Sequence, residues 1–163
     1  MPRIATHSRR VTSQRAGRLD QLSGETAPLF VYGSLRFPEV LHTLLDRVPP
    51  STVASAEGWR VAALRDHVYP VLVPAAGHAD GLLLTGLTST EWATLDAFEN
   101  DLYHLHRLPL DNERTGWAYV CHDEADALPH DWDVAKFADR ELALYVERCR
   151  EWRRWYESQT SSP

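Results

Sequence analysis

The stretch from Thr88 to Tyr103, Thr-Ser-Thr-Glu-Trp-Ala-Thr-Leu-Asp-Ala-Phe-Glu-Asn-Asp-Leu-Tyr, most restricts how this chain can fold. Thr88, three residues ahead of Glu91, has the spacing of a capping box, in which each side chain satisfies a backbone N–H of the other. The spacing predicts a helix starting near Ser89. At about 100° per residue, Trp92, Leu95 and Phe98 fall on one apolar face. Glu99 lies inside that stripe on the wheel, between Trp92 and Leu95, whereas Asp96, roughly 100° from its centre, is expected to reach water. A carboxylate on a buried face is costly unless paired or neutralised. The negative end of the helix dipole works in the same direction. Both effects raise a glutamate's pKa, which fits it to exchange protons near neutrality. The plainer alternative is a frayed residue turned to solvent, with Asn100-Asp101 ending the helix.

Ahead of this stretch, Pro28-Leu-Phe-Val-Tyr-Gly-Ser-Leu35 is a short β-rich apolar run that reads as a buried strand ending at Gly33. Pro38 suits a helix's first turn, and Val40, Leu41, Leu44, Leu45 and Val48 continue it as a stripe that Pro49-Pro50 ends. Strand, glycine and helix in that order leave backbone N–H groups around Gly33, Ser34 and Leu35 for an anion or a developing oxyanion. A plain turn is the simpler alternative, since one glycine is far from a phosphate-binding loop.

Further on, Thr52–Ala56, Trp59–Leu64 and Tyr69–Val73 read as strands, with Pro70 pushing the last to an edge or bulge. Ala75–Asp80 reads as a loop and Gly81–Leu87 as a buried strand. Tyr103–Leu110 and Gly116–His122 alternate like antiparallel partners joined by the polar turn Asp111–Thr115. From about Asp133 to Glu157 the pattern is one long helix whose face carries Ala138, Leu142, Tyr145, Cys149, Trp152 and Tyr156. That face packs on the sheet or, as the sharper alternative, pairs two copies as a homodimer.

A chain of 163 residues is expected to form one domain. Residues 1–27, with Arg3, Arg9, Arg10, Arg15 and Arg18 ahead of the first acid, read as a disordered tail. A transit peptide and a nucleic-acid arm are the weaker alternatives. The domain then spans 28–157, and 158–163 is a frayed tail. A net charge of −6 argues against a nucleic-acid or anionic-membrane surface. No run reaches the roughly 18 apolar residues of a membrane span. Cys121 and Cys149 lie in no metal or redox spacing, which fits a reducing, cytoplasmic location.

Other constellations are weaker. His104 and His106 share a strand face, and with His122 they suggest a three-histidine metal site and a metal-dependent hydrolase. Ordinary sheet-surface histidines explain them more simply. Ser34 follows a glycine but lacks the second glycine of a nucleophile elbow.

Taken together, Val31-Tyr-Gly-Ser-Leu35, Tyr69-Pro70, and Leu95-Asp-Ala-Phe-Glu99 with Tyr103 resemble the gamma-glutamylcyclotransferase-like superfamily, closest to its gamma-glutamylamine cyclotransferase branch. The resemblance covers roughly Leu29 to His122. It implies an α+β fold, a small mixed β-barrel with flanking helices, to which this chain adds the long C-terminal helix. It implies that Tyr32, Gly33, Ser34 and Leu35 hold the glutamyl group, with Glu99 as general acid/base and no metal or cofactor. The implied partner is a small gamma-glutamyl amine or peptide, converted to 5-oxoproline and a free amine. Tyr69 and Tyr103 are candidate pocket walls. The sequence departs from the pattern at Leu105, where members often carry arginine; Arg107 follows two residues later. A non-catalytic binding or regulatory module on the same fold is the main alternative.

Overall fold

The computed structural model describes residues 17–22, 27–99, 101–121 and 126–161. Its centre is β1 (Leu29–Val31), whose alternation commits both faces of the sheet. Leu29 and Val31 join the larger core, shared with the helices, whereas Phe30 and the following Tyr32 join a second core within the curl of the sheet. Around it stand β2 (Ser51–Leu64), β3 (Val71–Leu84), β4 (Tyr103–Pro109), β5 (Thr115–Cys121) and β6 (Ala127–Asp131), in the spatial order β4-β5-β1-β3-β2-β6. β1 runs parallel to β5 through Leu29 opposite Trp117, and the other neighbours are antiparallel. The fold is α+β, with the mixed sheet curled into a half-barrel and a long C-terminal helix.

Several local expectations change. The separate strands read at Thr52–Ala56 and Trp59–Leu64 are one, β2, with a register shift between Glu57 and Trp59 where Gly58 takes φ +83°. Residues 75–80, expected as a loop, form the middle of β3 and pair with β2 from Ser55 opposite Asp80 to Glu57 opposite His78. Alanine, glycine and aspartate are weak strand formers, and here cross-strand pairing overrides local preference. Pro70 precedes β3 and does not force it to an edge. The strand does contain Pro74, opposite Trp59 beside the register shift, a position that tolerates a missing N–H. β6, which had no clear signal, pairs with β2.

Gly81 of β3 lies where β1 crosses closest. A Cβ there would collide with the Val31 carbonyl oxygen and lie 2.8 Å from Cε2 of Phe30. One obstacle is backbone and the other a ring 1% exposed, so neither can easily give way. Gly81→Ala is expected to destabilise the protein by about 1–3 kcal/mol, as overpacking does. A urea midpoint equal to wild type would show that the strands have room.

Four helices of seven residues or more accompany the sheet among the described residues. The first, α1 (Pro38–Leu45), buries Val40, Leu41 and Leu44 and stops at Asp46, whose left-handed φ of 62° ends it before the prolines. Helix α2 (Ser89–Phe98) opens with the expected capping box: Glu91 N–H donates to Thr88 Oγ1 and Thr88 N–H to Glu91 Oε1, each at 3.0 Å. Its stripe of Trp92, Leu95 and Phe98 is buried. The expected single C-terminal helix is two, α3 (Val134–Arg140) and α4 (Leu142–Thr160), broken at Glu141, and the second runs past the expected fraying point.

Of the stripe read along the C-terminal helix, Ala138 is exposed on α3, while Tyr145, Cys149 and Trp152 of α4 are buried in the core of the same chain. The face thus packs on its own chain at those three positions, while Leu142 and Tyr156 are half-buried. The outward apolar residues are Leu144 and Trp155, 56% and 40% exposed. No helix among the described residues is long and apolar enough to cross a membrane. The leader expected to be disordered through residue 27 departs from that reading at Arg18, which is built into the core at 8% exposure. Its partners lie far along the chain, so nothing local announced them.

Candidate functional site

Five chain segments meet at the C-terminal end of β1. That strand delivers Tyr32, after which Gly33 starts a 3₁₀ turn over Ser34–Arg36. A Cβ on Gly33 would come within 2.9 Å of Pro70 Cδ and Cγ, so a larger residue would push the β2–β3 connection away. That connection contributes Tyr69, stacked on His67 with ring centroids 4.8 Å apart. Tyr103, the first residue of β4, donates from its hydroxyl to the Pro70 carbonyl at 2.9 Å. Between α2 and β4 stands Glu99. The cavity these segments enclose is lined by Tyr32, Gly33, Ser34, Leu35, Tyr69, Glu99 and Tyr103, all seven residues singled out in the sequence.

Glu99 arrives there by a different route from the one its wheel position gave. The helix ends at Phe98, and Glu99 has extended backbone angles, φ −70° and ψ 138°, while its N–H still donates to the Leu95 carbonyl at 3.0 Å. It is half-buried and sits just past the end of the helix, so the helical stripe does not place it. Asp96, expected to reach water, is 4% exposed. It accepts the Tyr119 hydroxyl at 2.7 Å and pairs with Arg18 Nε at 3.0 Å. Both partners come from elsewhere in the chain, and a wheel records only the helix's own residues.

Two more tyrosines reach the cavity wall from elements whose patterning marks them only as a strand and a packed helix face. Tyr119 of β5 and Tyr145 of α4 also line the cavity. The Tyr145 hydroxyl is 2.9 Å from Ser34 Oγ, which ties the C-terminal helix to the glycine turn. Tyr32 donates from its hydroxyl to the Tyr119 carbonyl. Tyr119 lies opposite Leu105 on the face that also carries Tyr103, so strand alternation in the β4–β5 hairpin was the available signal.

The electrostatics set the tyrosines of the cavity apart from its carboxylate. Burial, with the Glu99 charge second, pushes the Tyr32 hydroxyl well above its usual range. Burial leads for Tyr103 as well, followed by Tyr32 and then Glu99. Tyr119 is raised by burial and then by Asp96, and Tyr145 by burial and then by Cys149. Glu99 adds to the shift of each of these last two. All four therefore remain neutral phenols. Among the described lining residues Glu99 is the one acid, and none is lysine, arginine or histidine.

The histidines sit elsewhere. Alternation turns His104 and His106 to the face of β4 opposite Tyr103 and Leu105. Their rings are 6.0 Å apart, and His106 packs 5.8 Å from Trp59. His122 lies outside the described residues. Leu105, at the position where arginine was expected, is buried, and Arg107 is exposed.

The sequence model of a family described as gamma-glutamyl cyclotransferase, AIG2-like, matches residues 29–135. AIG2-like protein C of Arabidopsis thaliana is 44% identical over 84 residues, covering 50% of this chain and 49% of that protein. AIG2-like protein A from the same plant is 40% identical over 76 residues, or 46% of each. The chain thus spans about half the length of these curated relatives. A solution structure of an Arabidopsis thaliana protein superposes with a TM-score of 0.59 at 27% identity, over 86% of this chain and 97% of that one. A structure titled gamma-glutamyl cyclotransferase superposes with a TM-score of 0.54 at 15% identity, over 77% of this chain and 87% of that one. That second likeness concerns the fold.

Proposed function

Because the chain belongs to the gamma-glutamyl cyclotransferase, AIG2-like family, we propose that it cyclises a small gamma-glutamyl amide to 5-oxoproline and releases the amine. The observation that carries this reading is Glu99, the one carboxylate among the described residues that line a tyrosine-walled cavity, which also includes the Gly33–Leu35 turn.

The substrate's own α-amine is the nucleophile and the γ-carbonyl carbon its target. The nucleophile is already tethered, so ring closure avoids most of the entropy loss of a bimolecular encounter. Glu99 takes a proton from the α-ammonium group. The freed amine forms the new C–N bond, and the carbonyl oxygen takes up negative charge. Backbone N–H groups of the turn at Gly33, Ser34 and Leu35 face that charge, an arrangement in which losing one donor typically costs about 10²–10³ in rate. The intermediate collapses by breaking the bond to the departing nitrogen as Glu99 returns the proton there, and the second proton of the ring nitrogen then passes through the same carboxylate to the released amine, which ends as an ammonium ion. No redox partner or external acid enters the balance. The neutral phenols of Tyr32, Tyr103 and Tyr119 keep the walls free of competing charge.

The test is 5-oxoproline release from a panel of gamma-glutamyl amino acids, gamma-glutamyl lysine isopeptide, gamma-glutamyl polyamines and short gamma-glutamyl peptides. At least one compound is expected to turn over, at a rate unchanged by a chelator. Absence of 5-oxoproline across the panel would leave a binding module on the same fold, and loss of turnover with chelator would call for a metal mechanism instead.

A further inference from the structure

We propose that Arg18 is a positioning residue for Glu99, a role that rests on the cyclotransferase reading. Arg18 lies ahead of the family-matched segment, which begins at residue 29. At 8% exposure it is deep for an arginine. One terminal nitrogen donates to the Asp96 carbonyl at 2.8 Å and to the Glu99 carbonyl at 3.4 Å. The other donates to the Tyr103 carbonyl at 3.0 Å. Its Nε is 3.0 Å from the Asp96 carboxylate, which also accepts the Tyr119 hydroxyl. The guanidinium carbon stands 5.3 Å from the centre of the Tyr119 ring.

The last carbonyls of a helix have no donors inside it. A planar guanidinium offers five N–H groups in a fixed fork and can satisfy several of them at once, whereas lysine's ammonium is a compact point charge. Here the fork takes one carbonyl at the end of α2, one on Glu99 itself and one at the start of β4. The connection that carries the proposed proton shuttle is therefore pinned at its beginning, middle and end. Glu99, Tyr103 and Tyr119 all line the cavity, so the clamp sits directly behind its wall. Arg18 touches no reacting atom in this scheme. It fixes the backbone from which the carboxylate projects, and a misplacement of about 1 Å can cost on the order of 10²-fold in rate.

The experiment compares Arg18→Met and Arg18→Lys in the full chain, with Arg47→Met as control. Arg47 holds Glu91 at the opposite end of α2 through contacts of 2.7 and 2.6 Å, away from the cavity. Arg18→Met is expected to lower kcat by about 10- to 100-fold with KM within about threefold. Amide exchange over residues 96–104 should quicken by clearly more than the general loss of protection that β2 and β3 show from the unpaired Asp96. Arg18→Lys should recover part of kcat, and Arg47→Met should leave it unchanged. Wild-type kcat and exchange in Arg18→Met would overturn the proposal, as would exchange that rises equally in every element. If wild-type protein cyclises no compound in the panel, the enzymatic reading falls by itself, and exchange over 96–104 still decides whether Arg18 holds the connection.

Discussion

Glu99→Gln is expected to leave the protein folded and to reduce 5-oxoproline release by about 10²–10⁴-fold, the usual contribution of a positioned acid/base. The amide is nearly the shape of the carboxylate but cannot carry the proton from the α-ammonium group to the departing nitrogen. The loss should fall on kcat, because the change removes a step of the chemistry and leaves the walls in place. Folding should survive, since the bond that Glu99 gives to the helix end comes from its backbone N–H, donated to Leu95. Near-ultraviolet dichroism and thermal melting check the fold, and a coupled 5-oxoproline assay checks the rate. Turnover within about threefold of wild type would remove Glu99 from the role and leave the cavity without a proton carrier among its described residues.

The largest effect on stability is expected at Asp96. Asp96→Ala deletes both the counter-charge of Arg18 and the acceptor of the Tyr119 hydroxyl, at a site where the two charged side chains are 8% and 6% exposed. Removing one partner of a buried pair typically costs about 3–5 kcal/mol. At about 2–4 °C per kcal/mol for a chain of this size, the melting temperature should fall by roughly 6–20 °C. Replacing the pair together, as Arg18→Met with Asp96→Leu, should regain most of that loss, because apolar substitutes of similar volume need no desolvated charge. Activity in the double variant should stay low, since the carbonyl clamp on Glu99 is still gone. A melting temperature for Asp96→Ala within 2 °C of wild type would mean that the ion pair contributes little.

Local spacing made several elements readable. Thr88 and Glu91 announce the start of α2 because a capping box needs only residues three apart, and Trp92, Leu95 and Phe98 name its buried face. The hairpin of β4 and β5 follows from alternation on either side of a polar turn. The unread parts depend on distant partners. Asp96 looks solvent-facing until Arg18, 78 residues earlier, and Tyr119, 23 residues later, are folded against it. Residues 75–80 look like a loop until β2 is laid beside them. Glu99 was singled out as part of a helical stripe, yet the structure brings it to the cavity with the backbone already extended. Tyr145 was visible as a buried helix residue, but its hydroxyl partner Ser34 lies 111 positions away.

That last bond has a consequence for where this protein begins and ends as a working unit. The segment matched by the family model ends at residue 135, before the helix that bears Tyr145, and begins after Arg18. A chain trimmed to that segment would retain Glu99 and the glycine turn while discarding a bracket behind one and a brace beside the other. In this chain the matched segment and the packed unit have different edges, since Arg18 and Tyr145 both stand outside the one and inside the other.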